Sequence, residues 1–464
     1  MKHYDAIVIG SGGGLKIALP AAQQGRQVAL IEQGACGGTC LNRGCIPSKM
    51  LIWPMELADK MRDANQVDIA LSAPPRVEFA RLIARVTGTV DTIARSLQTR
   101  CEAADNVDYY PHRARFIGDK LLRVGDTDIS GDRIFIATGS RPSIPDIPGL
   151  ADVPYMTSAQ ALRRTDLPRE LIVLGGGYIA VELGNAYRSA GSQVAFLVRS
   201  RLMRREDREI ADEFAETFCR RHTVIEAFTP TAVRQVGAAI EVAGRNATGD
   251  VCAVQGDALL VATGVRPNTD DLGLDTTGIA LTAEGTIQAD ACLRTTVDGV
   301  YALGDAVGNH LFRHTVNREA EYLLRTAFSE DAAEPLDYGP VPHAVFADPE
   351  IAGVGPTEEE ARAQGADFVV GRAAFADSNQ GLARHLEHGL CKILATRATR
   401  RVIGAHMVGD EASNMIHILI LLMKTGGSLD DLLDMIFIHP ALPEIVRDAA
   451  RDAQAKLAEP ATAP

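Results

Sequence analysis

The feature that most narrows the fold is a pattern that occurs twice. DAIVIGSGGG (Asp5 to Gly14) and LIVLGGGYIA (Leu171 to Ala180) each set an unbroken aliphatic run against a glycine cluster. A continuous apolar run suits a strand buried on both faces of a parallel sheet, and glycines directly after it suit a tight turn into a helix. Each motif leads, about twenty residues on, to a second aliphatic strand: QVALIE, ending at Glu32, and QVAFLV, ending just before Arg199. Two such strand-turn-helix-strand units predict an α/β chain with two Rossmann-like dinucleotide-binding domains. In such a turn glycine lets backbone amides approach a pyrophosphate, whose charge then sits at the helix N-terminus. Gly10 and Gly12 take those positions in the first unit, Gly14 stands one residue before the third, and Glu32 is placed to accept from ribose hydroxyls. Gly175, Gly177, Tyr178 and Ile179 form the second turn. The first motif departs from the usual spacing: Leu15 stands at the third glycine position, and Pro20 is expected to kink or shorten the helix.

Two further segments, IFIATGSRP (Ile134 to Pro142) and LLVATGVRPN (Leu259 to Asn268), read as strand followed by turn, and each closes one unit. They bring Thr138, Gly139 and Gly264 into turns where a cofactor would lie. TTVDGVYALGDAV (Thr295 to Val307) ends a short strand at Gly304-Asp305, where a carboxylate can face a ligand hydroxyl. From about residue 337 no glycine fingerprint remains, and the final AKLAEPATAP reads as a frayed tail. The expected domains are 1–142, 143–267, 268–336 and 337–464. At 464 residues, with 46% hydrophobic and 23% charged residues, the chain has ordinary globular composition, and eight cysteines do not make a disulfide scaffold. A net charge of -13 argues against a nucleic-acid surface. The sequence enters its first strand without a signal-peptide pattern and has no apolar run of membrane-spanning length, so a cytoplasmic location without a membrane partner is expected.

GGTCLNRGCIPSKM (Gly37 to Met50) holds Cys40 and Cys45. A zinc site needs about four ligands, and no second close Cys or His pair accompanies these two; no metal is expected. A structural staple is disfavoured in a reducing compartment. In a helix, residues five apart are about 140° out of phase with a rise of about 7.5 Å. A disulfide wants its Cα atoms within about 4.4–6.8 Å, so a bridge here requires a distorted turn, which Gly44 eases. Strain makes a disulfide more reducible.

With these residues in view, the whole chain resembles the flavoprotein pyridine nucleotide-disulfide oxidoreductases (class I), the family of dihydrolipoamide dehydrogenase, glutathione reductase, mycothione reductase and mercuric reductase. GGTCLNRGCIPSK is similar to that family's redox-active motif. The resemblance implies FAD in the first unit, a nicotinamide nucleotide in the second, then a central segment and a C-terminal α+β dimerisation domain. It implies that Cys40 is the interchange thiol attacking substrate and Cys45 the thiol in charge-transfer contact with the flavin. Gly38 and Thr39 would border the cofactor, Lys49 would sit near the flavin and pair with Glu182, and Asp305 would hold the ribityl chain. In FIHPALPEI (Phe437 to Ile445), His439 and Glu444 resemble the family's histidine-glutamate pair, in which the acid orients an imidazole that moves protons for the thiol of the other subunit. A homodimer is therefore expected.

The sequence leaves the substrate open. No cysteine follows Cys391, so an extra C-terminal redox pair is missing. Lipoamide, including protein-bound lipoyl groups, and small thiols such as mycothione or glutathione remain. Leu15 and the PALPE segment look closer to mycothione reductases and divergent lipoamide dehydrogenases. The expectation is a dihydrolipoamide dehydrogenase-like enzyme, with an NADPH-dependent small-disulfide reductase as the alternative and a transhydrogenase or diaphorase as a third. Cys36 is expected to be a passive small residue, with an auxiliary thiol as the other reading. Arg199 stands where an NAD-selective unit places Asp or Glu, and Arg201, Arg204 and Arg205 follow it; a guanidinium suits the 2′-phosphate, so NADP(H) is expected to be used. Against this, Glu206, Asp207 and Glu209 can neutralise the run locally.

Overall fold

The run Ala6–Ile9 is buried because it lies in the middle of a parallel sheet: Ala6, Ile7 and Val8 have no exposed surface. Parallel neighbours run in the order Val107–Tyr110, Val28–Ile31, Lys2–Ile9, Thr127–Ile136, Val300–Ala302, and two antiparallel strands, Leu121–Val124 and Ala114–Gly118, extend the sheet past Thr127–Ile136. Successive side chains point to opposite faces. Ile7, Ile9, Ile31 and Ile134 accordingly join one core, while Ala6, Val8, Leu30 and Phe135 join another. The computed structural model describes residues 1–458 and divides into two compact units. The sheet above belongs to the first, made of Met1–Met50, Arg81–Ser143 and Gly264–Tyr338.

The helix after the first glycine turn, Leu15–Gln23, is only nine residues long and ends three residues past Pro20. The departure at Leu15 is compensated one residue earlier. A Cβ on Gly14 would lie 2.5 Å from Val8 Cγ1 and 2.2 Å from the Gly10 carbonyl oxygen, so Gly14 supplies the close helix-strand approach. Gly10 needs its own freedom, having φ +104° and a Cβ position 2.4 Å from the Ala137 carbonyl oxygen.

The second unit consists of Leu51–Ala80, Ile144–Thr263 and the chain from Gly339 onward. Its parallel sheet runs Thr223–Ile225, Gln193–Leu197, Glu170–Leu174, Ala258–Val261, beside an antiparallel sheet of Thr229–Val236, Ala239–Arg245 and Val251–Gly256. The C-terminal segment folds into a five-stranded antiparallel sheet, with helix Glu444–Ala458 packed on Phe368–Ala374 and helix Ala412–Lys424 on Val402–Val408. Of the stretch read as a frayed tail, Ala455–Ala458 continue this helix because Ala449, Ala450 and Ala453 anchor it in the core. Glu459–Pro464 lie outside the described residues. Among the described residues no helix is long and apolar enough to cross a membrane.

One charged cluster lies inside the second unit. Lys392, with a side chain 2% exposed, reaches Asp207 at 2.8 Å, Glu209 at 3.1 Å and Glu358 at 2.6 Å; Arg372 adds contacts to Glu209 at 2.8 Å and Glu358 at 3.1 Å. Burial raises the Asp207 carboxyl, but bonds from Lys392 and the Glu358 N–H outweigh it and hold the group below its usual range. Removing the ammonium leaves the buried Asp207 carboxylate without a cation. Lys392→Met is therefore expected to lose about 3–5 kcal/mol of stability, read as a lower urea midpoint; an unchanged midpoint would show that the cluster is solvated.

Candidate active site

Cys40 and Cys45 fall on two successive helices, Gly38–Arg43 and Cys45–Arg62, broken at Gly44. A Cβ at Gly44 would sit 3.0 Å from the Thr39 carbonyl oxygen and 3.3 Å from Cys40 Cα, so a side chain here would press on the fold-back. The distorted turn expected from helix arithmetic is this break. It brings the two thiols into a mutual hydrogen bond, with Cys40 half-buried and Cys45 exposed. Their acidities split. The Cys45 thiol is lowered to about 7, first by the hydrogen bond from Cys40 and then by the charges of Lys49 and Arg313. That same bond, joined by desolvation, pushes the Cys40 thiol far up. The reduced pair thus carries one thiolate, at Cys45, and one proton, at Cys40.

The turn entering these helices is held by Asn42, whose Nδ2 donates to the carbonyls of Ala35 at 3.1 Å, Cys36 at 3.0 Å and Gly38 at 2.9 Å. Ser11 joins it to the first glycine turn: its hydroxyl accepts from Gly37 N–H at 2.9 Å and donates to Glu32 at 2.6 Å, while its amide donates to the same carboxylate at 3.0 Å. Glu32 also accepts from Gly34 N–H at 2.8 Å.

Gly10, Glu32, Thr138-Gly139 and Asp305 all sit at carboxyl ends of the parallel strands, where open α/β sheets bind ligands. Asp305 accepts from the Ser140 hydroxyl at 2.5 Å, and burial raises its carboxyl. Asn268 fastens the neighbouring turn, donating its side chain to the Thr138 carbonyl at 2.8 Å and its amide to that of Gly139 at 2.9 Å. The Thr138 hydroxyl is buried without a partner. A side-chain-free cradle at Gly10 and Gly12, a carboxylate beyond the second strand, a second carboxylate at Asp305 and an orphaned hydroxyl fit FAD. Thr39 is exposed beside the cysteines, and Gly38 has φ +69°.

In the second unit, Gly175 repeats the geometry of Gly10, with φ +135° and a Cβ position 2.3 Å from the Ala262 carbonyl oxygen. Gly177 is the N-cap of helix Tyr178–Ala190; Tyr178 is exposed and Ile179 half-buried at its start. Gly264, exposed at φ +118°, belongs to the first unit by its contacts. Arg199 and Arg205 are exposed at the end of Gln193–Leu197 and in the loop beyond. The acids that follow do not neutralise them. Glu206 is taken by His343 at 2.6 Å, Asp207 by Lys392, and Glu209 by Arg372 and Lys392. Arg201 lies 4.0 Å from Asp212.

Lys49 lies one turn after Cys45 in the first unit. Glu182, 5% exposed on helix Tyr178–Ala190 of the second, accepts from the Phe346 N–H at 3.1 Å. His439 Nδ1 is 3.1 Å and 3.2 Å from the two oxygens of Glu444, with the His side chain 65% exposed and the Glu side chain 6%. Glu444 also accepts from Ala441 N–H at 3.0 Å and pairs with Arg447 at 2.9 Å; the Ala441 bond first, and then His439, hold its carboxyl below the usual range. The imidazole is thereby oriented with Nε2 outward.

Sequence reasoning did not find Ser11, Asn42, Ser140 or Arg313. Arg313 opens helix Arg313–Thr326, and a cation at a helix N-terminus opposes the macrodipole, which is the signal that marks it. Because Cys45 is lowered by neighbouring charge, its alkylation in the reduced protein is expected to rise through pH 7, and Lys49→Met is expected to move that midpoint upward. A midpoint unchanged by the substitution, measured by iodoacetamide trapping, would contradict this electrostatic account.

Comparison with known proteins bears on the whole chain. Residues 4–322 match the pyridine nucleotide-disulphide oxidoreductase model, and 341–450 match the dimerisation domain of the same family. The chain is 34% identical over 97% of its length to dihydrolipoyl dehydrogenase 3 of Haloarcula marismortui, covering 97% of that protein. It is also 34% identical over 97% of its length to mycothione reductase of Mycobacterium tuberculosis, covering 99% of it. Among solved structures it resembles a copper(II) complex of the HOCl-induced flavoprotein disulfide reductase RclA from Escherichia coli, with TM-score 0.87, 30% identity and coverage of 97% and 99% of the two chains. The chain belongs to the class I pyridine nucleotide-disulfide oxidoreductases and is an FAD-dependent disulfide oxidoreductase that uses NAD(P).

Proposed function

We propose that this protein is an NADPH-dependent reductase of a low-molecular-weight disulfide, working as a cytoplasmic homodimer. In this reading 1–142 and 268–336 hold FAD, 143–267 binds NADPH, and 337–464 dimerises. The observation that carries it is the charge at the end of the strand Gln193–Leu197. Arg199 and Arg205 are exposed, and the three acids that follow are engaged with His343, Lys392 and Arg372, leaving a cationic site for a 2′-phosphate.

FAD, when bound, supplies the two-electron transfer from the nicotinamide that opens the Cys40–Cys45 disulfide. Cys40 then attacks one sulfur of the substrate disulfide, forming a mixed disulfide and releasing one thiolate. Cys45 attacks the Cys40 sulfur, re-forming the internal disulfide and releasing the second thiolate. The proton that stays on Cys40 in the reduced pair has to leave before attack. His439 of the partner subunit, held by its glutamate, takes it and returns it to the departing thiolate. Lys49 and Arg313 hold the Cys45 thiolate; Asp305, Glu32 and Thr138 fix FAD.

Lipoamide is the second reading, favoured by the dihydrolipoyl dehydrogenases among the relatives. A panel of mycothione, glutathione disulfide, lipoamide and lipoyl protein, each with NADPH and NADH, separates the two. NADPH is expected to serve at least as well as NADH and a small disulfide to be the best acceptor; strong selectivity for NADH with lipoyl turnover would restore the lipoamide reading. Arg199→Glu is expected to weaken NADPH alone, by about 1.5–3 kcal/mol in binding; equal loss for both nucleotides would remove Arg199 from the site. Cys40→Ser is expected to keep NADPH-dependent dye reduction and lose disulfide turnover. His439→Gln should slow that turnover by about 10² to 10⁴ with the dimer intact; normal rates in either variant would overturn the assigned role.

A further inference from the structure

A second pair of thiols lies in the first unit. Cys36 and Cys101 are 1% and 0% exposed, and their sulfurs are 3.9 Å apart, although 65 residues separate them in the chain. Cys36 directly precedes the Gly37-Gly38 turn, and Cys101 lies at the end of helix Phe79–Glu102. Both sit in the core beneath the first glycine turn with Ile17, Ala18 and Leu30. A disulfide has S–S near 2.05 Å, so closure needs the sulfurs to approach by about 1.9 Å.

We infer that Cys36 and Cys101 are a second oxidisable dithiol, which hydroperoxides convert to a buried disulfide and dithiols convert back. The Cys101 thiol is the largest influence favouring a thiolate at Cys36, while burial and the charge of Glu32 oppose it. The Cys36 thiolate attacks the peroxide O–O bond, giving a sulfenic acid and releasing hydroxide. The Cys101 thiol then displaces the sulfenic oxygen as water and forms the S–S bond. Two electrons pass to the peroxide, and a dithiol returns them.

The bridge has a consequence for the cofactor turn. Gly37 N–H donates to the Ser11 hydroxyl, and a Cβ on Gly38 would sit 2.6 Å from Gly12 Cα, so this backbone contact has no slack. Drawing Cys36 toward Cys101 displaces the adjoining Gly37 and Gly38, which abut Ser11 and Gly12, and so loosens the hold on FAD. This second effect rests on the first glycine turn being the FAD site; the disulfide itself does not.

The test uses the full-length holoenzyme with Cys40 and Cys45 both changed to serine, so that no other pair in the motif can report. After hydrogen peroxide, two titratable thiols per chain are expected to be lost, and trypsin without reductant should yield Gln27–Arg43 linked to Cys101–Arg113. Dithiothreitol should restore both thiols. Retention of both thiols, or linkage of Cys36 elsewhere, would overturn the inference. With Cys40 and Cys45 intact, peroxide should speed release of FAD fluorescence in the parent and not in Cys101→Ser. Loss of FAD at equal rates in both would remove the effect on the cofactor, leaving the mapped disulfide standing.

Discussion

The hydrogen bond between Cys40 and Cys45 is the contact on which the site depends, and it exists because the chain breaks at Gly44. An uninterrupted helix would point the two side chains about 140° apart. Two helices meeting at a glycine bring them together and set their acidities in opposite directions: Cys45 falls to about 7 beside Lys49 and Arg313, while Cys40 keeps its proton. Division of labour follows from that split. A stable thiolate suits the sulfur that exchanges electrons inside the protein, and a protonated thiol needs a base before it can attack from outside.

The same economy of charge governs the second unit. The loop after Gln193–Leu197 carries arginines and acids in one run, which on paper cancel. In the fold they are sorted. Asp207 turns into the core to meet Lys392, Glu209 follows it to Arg372, and Glu206 meets His343, while Arg199 and Arg205 stay at the surface. A buried lysine far along the chain thus withdraws two of these acids from the surface of the loop.

The doubly buried strands, both glycine turns and the place of Glu32 and Asp305 were legible in sequence, because period and turn chemistry are local. The strain expected between Cys40 and Cys45 could also be argued from helix geometry. Leu15 misled as a departure, since Gly14 provides the close approach and only the position of Val8 reveals it. The Lys392 cluster and the Cys36-Cys101 contact join residues 185 and 65 positions apart, a separation over which no periodic signal survives. Cys36 read alone is a small apolar residue; Cys101, at the end of helix Phe79–Glu102, makes it half of a dithiol.

The central claim is that electrons reach substrate through Cys40 and Cys45. The most direct measurement is an anaerobic titration of the holoenzyme with NADPH, quenched by alkylation and mapped by mass spectrometry. The account predicts that the first two electrons make Cys40 and Cys45 alkylatable while most of the oxidised-flavin absorbance remains. Bleaching of the flavin with both cysteines still resistant to alkylation would contradict it.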